Sequence, residues 1–271
     1  MRAPSLRVSR SRATLSKLMN KSDIPSVILW LLDGSLVHDE DLAFFVGQLG
    51  VSEAHRYTRF KRRERQRQFV LGRMLLRFAV ANLMALPPDA LAVVERDSNA
   101  PLLVLPDSHN AQPRFSLSHS GKWVACAVSV DANLGVDIEF NDPMRNICET
   151  SHMAFHAKEY LWLLQQPEAM RLSAFYQLWC IREALYKLMS ALGRETVSLA
   201  VVGENGMLAS RGAGWYGYTL ANFGLTIAVC CDQPLSALQN MKLTGLSRQD
   251  WLALAREFRA NHQGANQRAV R

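Results

Sequence analysis

From Ser52 onward the chain reads as a long helical stretch in which Val70, Met74 and Phe78, with Leu71, Leu75 and Ala79 beside them, recur at helical spacing. An apolar stripe of this kind has to be buried against something. Pro87-Pro88 ends it, since proline cannot continue the helical hydrogen bonding. Ahead of it, Pro25 to Leu32 reads as a strand closing at the Asp33-Gly34 turn. Behind it, Leu91–Val94 and Pro101–Leu105 read as short strands around a polar turn, and Phe115–Leu117 and Trp123–Val130 as another pair. A second half opens near Asp131 with a strand over Leu134–Phe140 and helices over Ala157–Leu164 and Leu172–Leu192. Strands over Thr196–Val202, Trp215–Ala221 and Leu225–Cys231 follow around a Glu204-Asn205-Gly206 turn, and then an amphipathic helix over Arg248–Phe258. Each half offers strands with at least one long helix. That pattern predicts an α+β fold rather than regular βαβ winding, with no clean sequence repeat between the halves. The expected organisation is a disordered basic leader over 1–23, one lobe over 24–130, a second over 131–245, and a terminal helix and flexible tail over 246–271.

The 271 residues suffice for one large or two modest cores, and 49% apolar with 20% charged residues is ordinary globular composition. The formal net charge of +7 is concentrated. Arg56, Arg59, Lys61, Arg62, Arg63, Arg65, Arg67, Arg73 and Arg77 face the single acid Glu64 between them. Such a field favours a polyanionic partner without choosing among nucleic acid, membrane surface, phosphate-rich cofactor and acidic protein. The five cysteines lack ligand-like spacing and read as reduced core thiols of a cytoplasmic protein. The most apolar stretch, Phe69 to Leu86, is broken by Arg73, Arg77 and Asn82, so no membrane span is expected. The first 22 residues are basic, Ser-rich and free of acids, fitting either a disordered leader or an organellar transit peptide.

Three segments carry groups suited to chemistry. In Gly135-Val136-Asp137-Ile138-Glu139 the two acids stand two apart, so on a strand both leave one face while Val136 and Ile138 take the other. They are either the wet side of an amphipathic strand or oxygen ligands for a hard divalent cation. In Trp179-Cys180-Ile181-Arg182-Glu183-Ala184-Leu185-Tyr186-Lys187 the spacing aligns Trp179, Glu183 and Lys187 along one helix face. A packed Trp beside an exposed Glu–Lys pair would look the same. Ser116-Leu117-Ser118-His119-Ser120-Gly121 supplies hydroxyls and an imidazole, suited to phosphate or simply to a Ser-rich turn.

Together, in this order, these segments resemble the surfactin-synthetase-activating (Sfp-like) class of 4′-phosphopantetheinyl transferases, with Glu183 lying 46 residues after Asp137. The resemblance extends to Leu71-Gly72-Arg73-Met74-Leu75-Leu76-Arg77 and Phe155-His156-Ala157-Lys158-Glu159-Tyr160, and covers roughly residues 50 to 235. Two departures stand out: Arg182 where the class has Lys, and Asn99-Ala100-Pro101 where it has Gly-Lys-Pro, a contact for the nucleotide end of coenzyme A. The resemblance implies two similar lobes related by pseudo-twofold symmetry within one monomeric chain, with coenzyme A as co-substrate between them. It implies Mg²⁺ held by Asp137, Glu139 and Glu183, with Glu183 and Lys187 catalytic. Coenzyme A would meet Arg56, Arg73, Arg96, Ser118, His119 and Lys187. The acceptor would be a serine of an acidic acyl or peptidyl carrier protein, and the product 3′,5′-ADP. The competing expectation is a nucleic-acid-binding module built on the Arg56–Arg77 stretch. That module would leave the three acids unexplained.

Overall fold

The computed structural model describes residues 27–97, 99–106, 112–194, 208, 211–234 and 241–269. The expected leader, the strand over 196–202 and the turn at 204–206 lie outside the described residues. Strand β1 (Val27–Asp33) is followed by α1 (Asp39–Val46), α2 (Val51–Thr58) and α3 (Arg63–Met84). Next come β2 (Ala92–Arg96), β3 (Asn99–Val104), β4 (Arg114–Ser120), β5 (Trp123–Ser129) and β6 (Leu134–Phe140). Helices α4 (Ile147–Ala154), α5 (Ala157–Leu164) and α6 (Glu168–Ala191) precede β7 (Arg211–Gly212), β8 (Trp215–Asn222) and β9 (Leu225–Cys231). The chain finishes with β10 (Met241–Leu246) and α7 (Arg248–Ala269).

The architecture is α+β with two sheet-bearing lobes. One sheet has the order β10-β1-β5-β4 and the other β6-β9-β8-β7, while β2 and β3 form a separate hairpin. Both lobes share a connectivity: a strand, a long helix, then a hairpin whose second strand inserts beside the first. That gives β1-β5-β4 around α3 and β6-β9-β8 around α6. A side-chain device repeats as well. Glu53 accepts from the Gly50 N–H at the start of α2 and from Arg77 of α3, while Glu159 accepts from the His156 N–H at the start of α5 and from Arg182 of α6. No sequence repeat announced this duplication, because only the buried contacts are repeated.

The apolar run of β1 reflects burial on both faces. Ile28, Trp30 and Leu32 pack with α3, whereas Val27, Leu29 and Leu31 join Ala125, Ala127, Val136, Ile138, Ile227 and Val229 in a layer between the two sheets. Helix α6 covers the outer face of the second sheet. Gly135 lets it come close: a Cβ there would lie 2.0 Å from the Ala184 carbonyl oxygen.

Three differences between the structure and the sequence reading bear on how the lobes are built. The helical stretch from Ser52 is two helices, because Arg59 and Arg62 interrupt it with Arg62 extended. The Ser-His segment is not a turn; it continues β4 to Ser120, and the turn falls at Gly121 with φ of 52°. The third difference is the expected boundary at 245, which β10 crosses. It pairs in parallel with β1 in the first lobe's sheet, Val27 opposite Met241 through Leu32 opposite Leu246. Helix α7 then places Trp251, Ala255 and Phe258 in the first lobe's core, Trp251 meeting Phe45 and Phe78 edge-on at 5.4 Å. The open flank of β1 and the apolar side of α1 and α3 need that cover, a long-range demand that local pattern does not reveal.

Candidate active site

The two lobes meet at their edge strands, and the three motifs converge there. Three serines of β4 accept hydrogen bonds from alternate backbone N–H groups of β6: Val136 to Ser116 at 3.0 Å, Ile138 to Ser118 at 3.3 Å and Phe140 to Ser120 at 3.0 Å. The Ser118 hydroxyl donates to Asp137 Oδ1 and that of Ser120 to Glu139 Oε2, both at 2.8 Å. Asp137 is buried, so the picture of both acids lying in water does not hold for it. Its second oxygen, Oδ2, is buried with no hydrogen-bond partner.

Helix α6 supplies the other side. Lys187 reaches across to β6, its ammonium 2.8 Å from Asp137 Oδ1 and 2.8 Å from the Val136 carbonyl oxygen. The alternative of a surface Glu183–Lys187 pair is thereby replaced by a bond between lobe elements. Glu183, one helical turn before Lys187, is half-buried and its carboxyl is held above the ordinary range. Partial burial is the main cause and repulsion from Asp137 the next, opposed by Lys187 and Arg182. Glu139 is raised for the same first reason, with the Ser120 bond opposing it, Asp137 adding to it, and Arg145 and Lys187 relieving it. Two negative groups pushed toward protonation around a third is the state expected where a cation is wanted.

Sequence reasoning missed Arg145. Its guanidinium lies 4.9 Å from the Trp179 ring, 5.4 Å from Phe175 and 5.9 Å from Tyr176, an aromatic bed that holds a cation close to Glu139. No motif position flagged it, although the aromatic residues at helical spacing on α6 were legible. Trp179 is therefore packed, as its plain reading had it, but packed beneath a cation.

The expected coenzyme A contacts separate into distinct environments. His119 lies against Arg65, which donates to its Nδ1 at 3.0 Å and also meets Nε2. Loss of hydration first, then Arg65 and Lys187, lower its imidazole to about 4, so at neutral pH it is an uncharged acceptor among cations. Ser118 is buried with its hydroxyl already committed on both sides. Arg73 is buried too, 2.6 Å from Glu95 and 3.9 Å from Glu53, because its side of α3 faces α2 and β2. Arg56 pairs with Glu95 at 3.0 Å and stays partly open to solvent. Arg96 is exposed and donates to the Ala100 carbonyl oxygen at 2.8 Å, closing the β2–β3 hairpin where the class lysine would stand. Several arginines of the basic stretch turn inward: Arg67 binds the Gly34 and Val37 carbonyls and Asp39, and Arg77 binds Glu53. Arg59, Lys61, Arg62 and Arg63 remain on the surface. Arg182 is likewise spent, on Glu159, which explains why charge suffices at that position.

As they stand, no three His, Cys, Asp or Glu side chains among the described residues form a metal cage. The donor chemistry nevertheless fits a hard cation. Asp137 Oδ2 is an orphaned buried carboxylate oxygen, and Glu139 and Glu183 are both strained electrostatically by Asp137. A cavity of about 200 Å³ lies beneath Gly34, Gly121 and Lys122, in the first lobe and off these carboxylates. The cysteines take no part. Cys126, Cys180, Cys230 and Cys231 are buried, free thiols, Cys231 pushed up to about 12 by burial. No described helix is long and apolar enough to cross a membrane.

Comparison with known proteins points to a single family. Residues 133–203 match the profile of the 4′-phosphopantetheinyl transferase superfamily, and residues 37–131 match that of the 4′-phosphopantetheinyl transferase N-terminal region. The chain is 36% identical over 124 residues to 4′-phosphopantetheinyl transferase psf-1 of Bacillus pumilus, covering 45% of this chain and 49% of that protein. It is 28% identical over 153 residues to the transferase gsp of Aneurinibacillus migulanus, 56% of each. Against the transferase Sfp of Bacillus subtilis strain 168 it is 28% identical over 144 residues, 53% of this chain and 61% of that protein. The matches span about half the length of these curated relatives.

Proposed function

Because the chain belongs to the 4′-phosphopantetheinyl transferase superfamily, we propose that it moves the 4′-phosphopantetheine arm of coenzyme A onto a serine of an apo acyl or peptidyl carrier protein in the cytoplasm. The observation that carries this reading is the convergence of Asp137, Glu139, Glu183 and Lys187 at the lobe junction, with Asp137 Oδ2 left unpartnered. In the reaction the carrier hydroxyl oxygen bonds to the β-phosphorus of coenzyme A, the bridging P–O bond breaks, and 3′,5′-ADP leaves. Asp137, Glu139 and Glu183 would hold Mg²⁺, which when bound supplies neutralisation of the pyrophosphate charge.

The chain's own groups have separable tasks. Glu183, directly or through a water, takes the proton of the carrier serine. Lys187 spends two of its three N–H donors on Val136 and Asp137 and keeps the third for the transferring phosphate. His119 and Arg65 form an adjoining polar and cationic patch for a further phosphate of coenzyme A, which compensates in part for Ala100. Arg56 keeps enough exposure to reach a phosphate from Glu95, whereas Arg73 and Ser118 support the site from within. The test is an intact-mass assay of apo-carrier proteins with coenzyme A, with and without Mg²⁺. A phosphopantetheine adduct is expected only with the metal, and no adduct on fatty-acid, polyketide or peptide carriers would overturn the reading.

A further inference from the structure

We infer that Ser116, Ser118 and Ser120 form a hydroxyl comb that joins the lobes edge to edge, and that Ser118 and Ser120 act through it as positioning residues for Asp137 and Glu139. The inference rests on the functional reading of those two carboxylates. Strands β4 and β6 are the outer strands of their sheets among the described residues, and each has a row of main-chain groups with no neighbouring strand. The serines stand at i, i+2 and i+4, so they share a face of β4. Their partners Val136, Ile138 and Phe140 stand at the same spacing on β6, each twenty positions after its serine. The two strands therefore run in the same direction and in register, with serine oxygens in place of carbonyl oxygens.

A hydroxyl differs from a carbonyl in that it can pass a hydrogen bond on. Ser118 and Ser120 donate to the side chain of the residue preceding their N–H partner, Asp137 and Glu139. At the first tooth that residue is Gly135, with no side chain to receive. Ser116 thus makes the same backbone bond and orients no carboxylate, which provides an internal control. With Ser118 and Lys187 both on Oδ1 of Asp137, Oδ2 is the oxygen left over for a ligand. The first lobe in this way sets the orientation of acids carried by the second.

The experiment measures Mn²⁺ binding by electron paramagnetic resonance, together with thermal melting, on the full chain and on Ser120→Ala, Ser120→Thr and Ser116→Ala. Loss of a residue that orients a metal ligand commonly weakens metal binding by 10-fold or more, so Ser120→Ala is expected to raise the Mn²⁺ dissociation constant about 10-fold. Ser120→Thr, which keeps the hydroxyl, should restore it. Ser116→Ala should melt earlier with unchanged Mn²⁺ affinity. Unchanged affinity in Ser120→Ala, or equal weakening in Ser116→Ala, overturns the positioning role while leaving the functional reading in place. A wild-type protein that binds no Mn²⁺ overturns both.

Discussion

Replacing Lys187 with Met removes an ammonium while keeping most of the stem that crosses from α6 to β6. In the wild-type chain that ammonium makes two hydrogen bonds of 2.8 Å, to Asp137 Oδ1 and the Val136 carbonyl oxygen. Without it, Asp137, whose side chain is 8% exposed, keeps the Ser118 hydroxyl for its charge. Removing one partner of a fully buried pair costs about 3–5 kcal/mol, since the remaining charge is stranded. The Lys187 side chain is 28% exposed, so water can replace part of what is lost. A loss of about 2 kcal/mol is expected, intermediate between a buried and a surface pair. For a chain of this size that lowers Tm by about 4–8 °C. Melting at pH 7 in chelator measures it without interference from metal. Asp137→Asn in the Lys187→Met background should recover most of the loss, because the amide carries no charge to strand. If Lys187→Met costs less than about 0.5 kcal/mol, the pair is a surface pair and the argument fails. It fails equally if the double variant loses the sum of the two single losses. In the transferase assay the same variant should lose more turnover than coenzyme A affinity, as charge builds on the transferring and leaving oxygens.

Three further outcomes follow from other parts of the molecule. Gly135→Ala puts a Cβ 2.0 Å from the Ala184 carbonyl oxygen and forces α6 off β6, so urea unfolding should show a loss of about 3 kcal/mol or more. Ala85 ends α3 in the left-handed region at φ of 55°, and Ala85→Gly should stabilise the protein by about 1 kcal/mol in the same assay; a loss instead would show that the methyl is packed. The folded chain holds the His119 imidazole neutral down to about 4, whereas the unfolded chain protonates it near 6.5. Stability should therefore fall as pH drops through that window, and less so in His119→Gln. NMR titration of the anion-free protein checks the cause, and a midpoint at or above 6.5 would refute it.

Local pattern determined much of this protein. The apolar run of β1, the stripe of α3 with its proline stop, and the alternation in Gly135–Glu139 each depend on covalent geometry and burial within a few residues, and each element formed where its pattern lies. Glu183 and Lys187 stood together for the same reason, since one helical turn separates them. What sequence left open was which groups such elements meet. Lys187 finds Asp137 rather than Glu183, Ser118 gives its hydroxyl to β6, and Arg73 gives its charge to Glu95 and Glu53. A polar side chain takes the nearest partner that burial leaves unsatisfied, and which partner is nearest depends on how the lobes pack. The return of β10 to β1 is the longest-range case. The sequence reading places no strand over its residues, because the open edge they cover belongs to a strand at the other end of the chain, and only tertiary structure brings the two together.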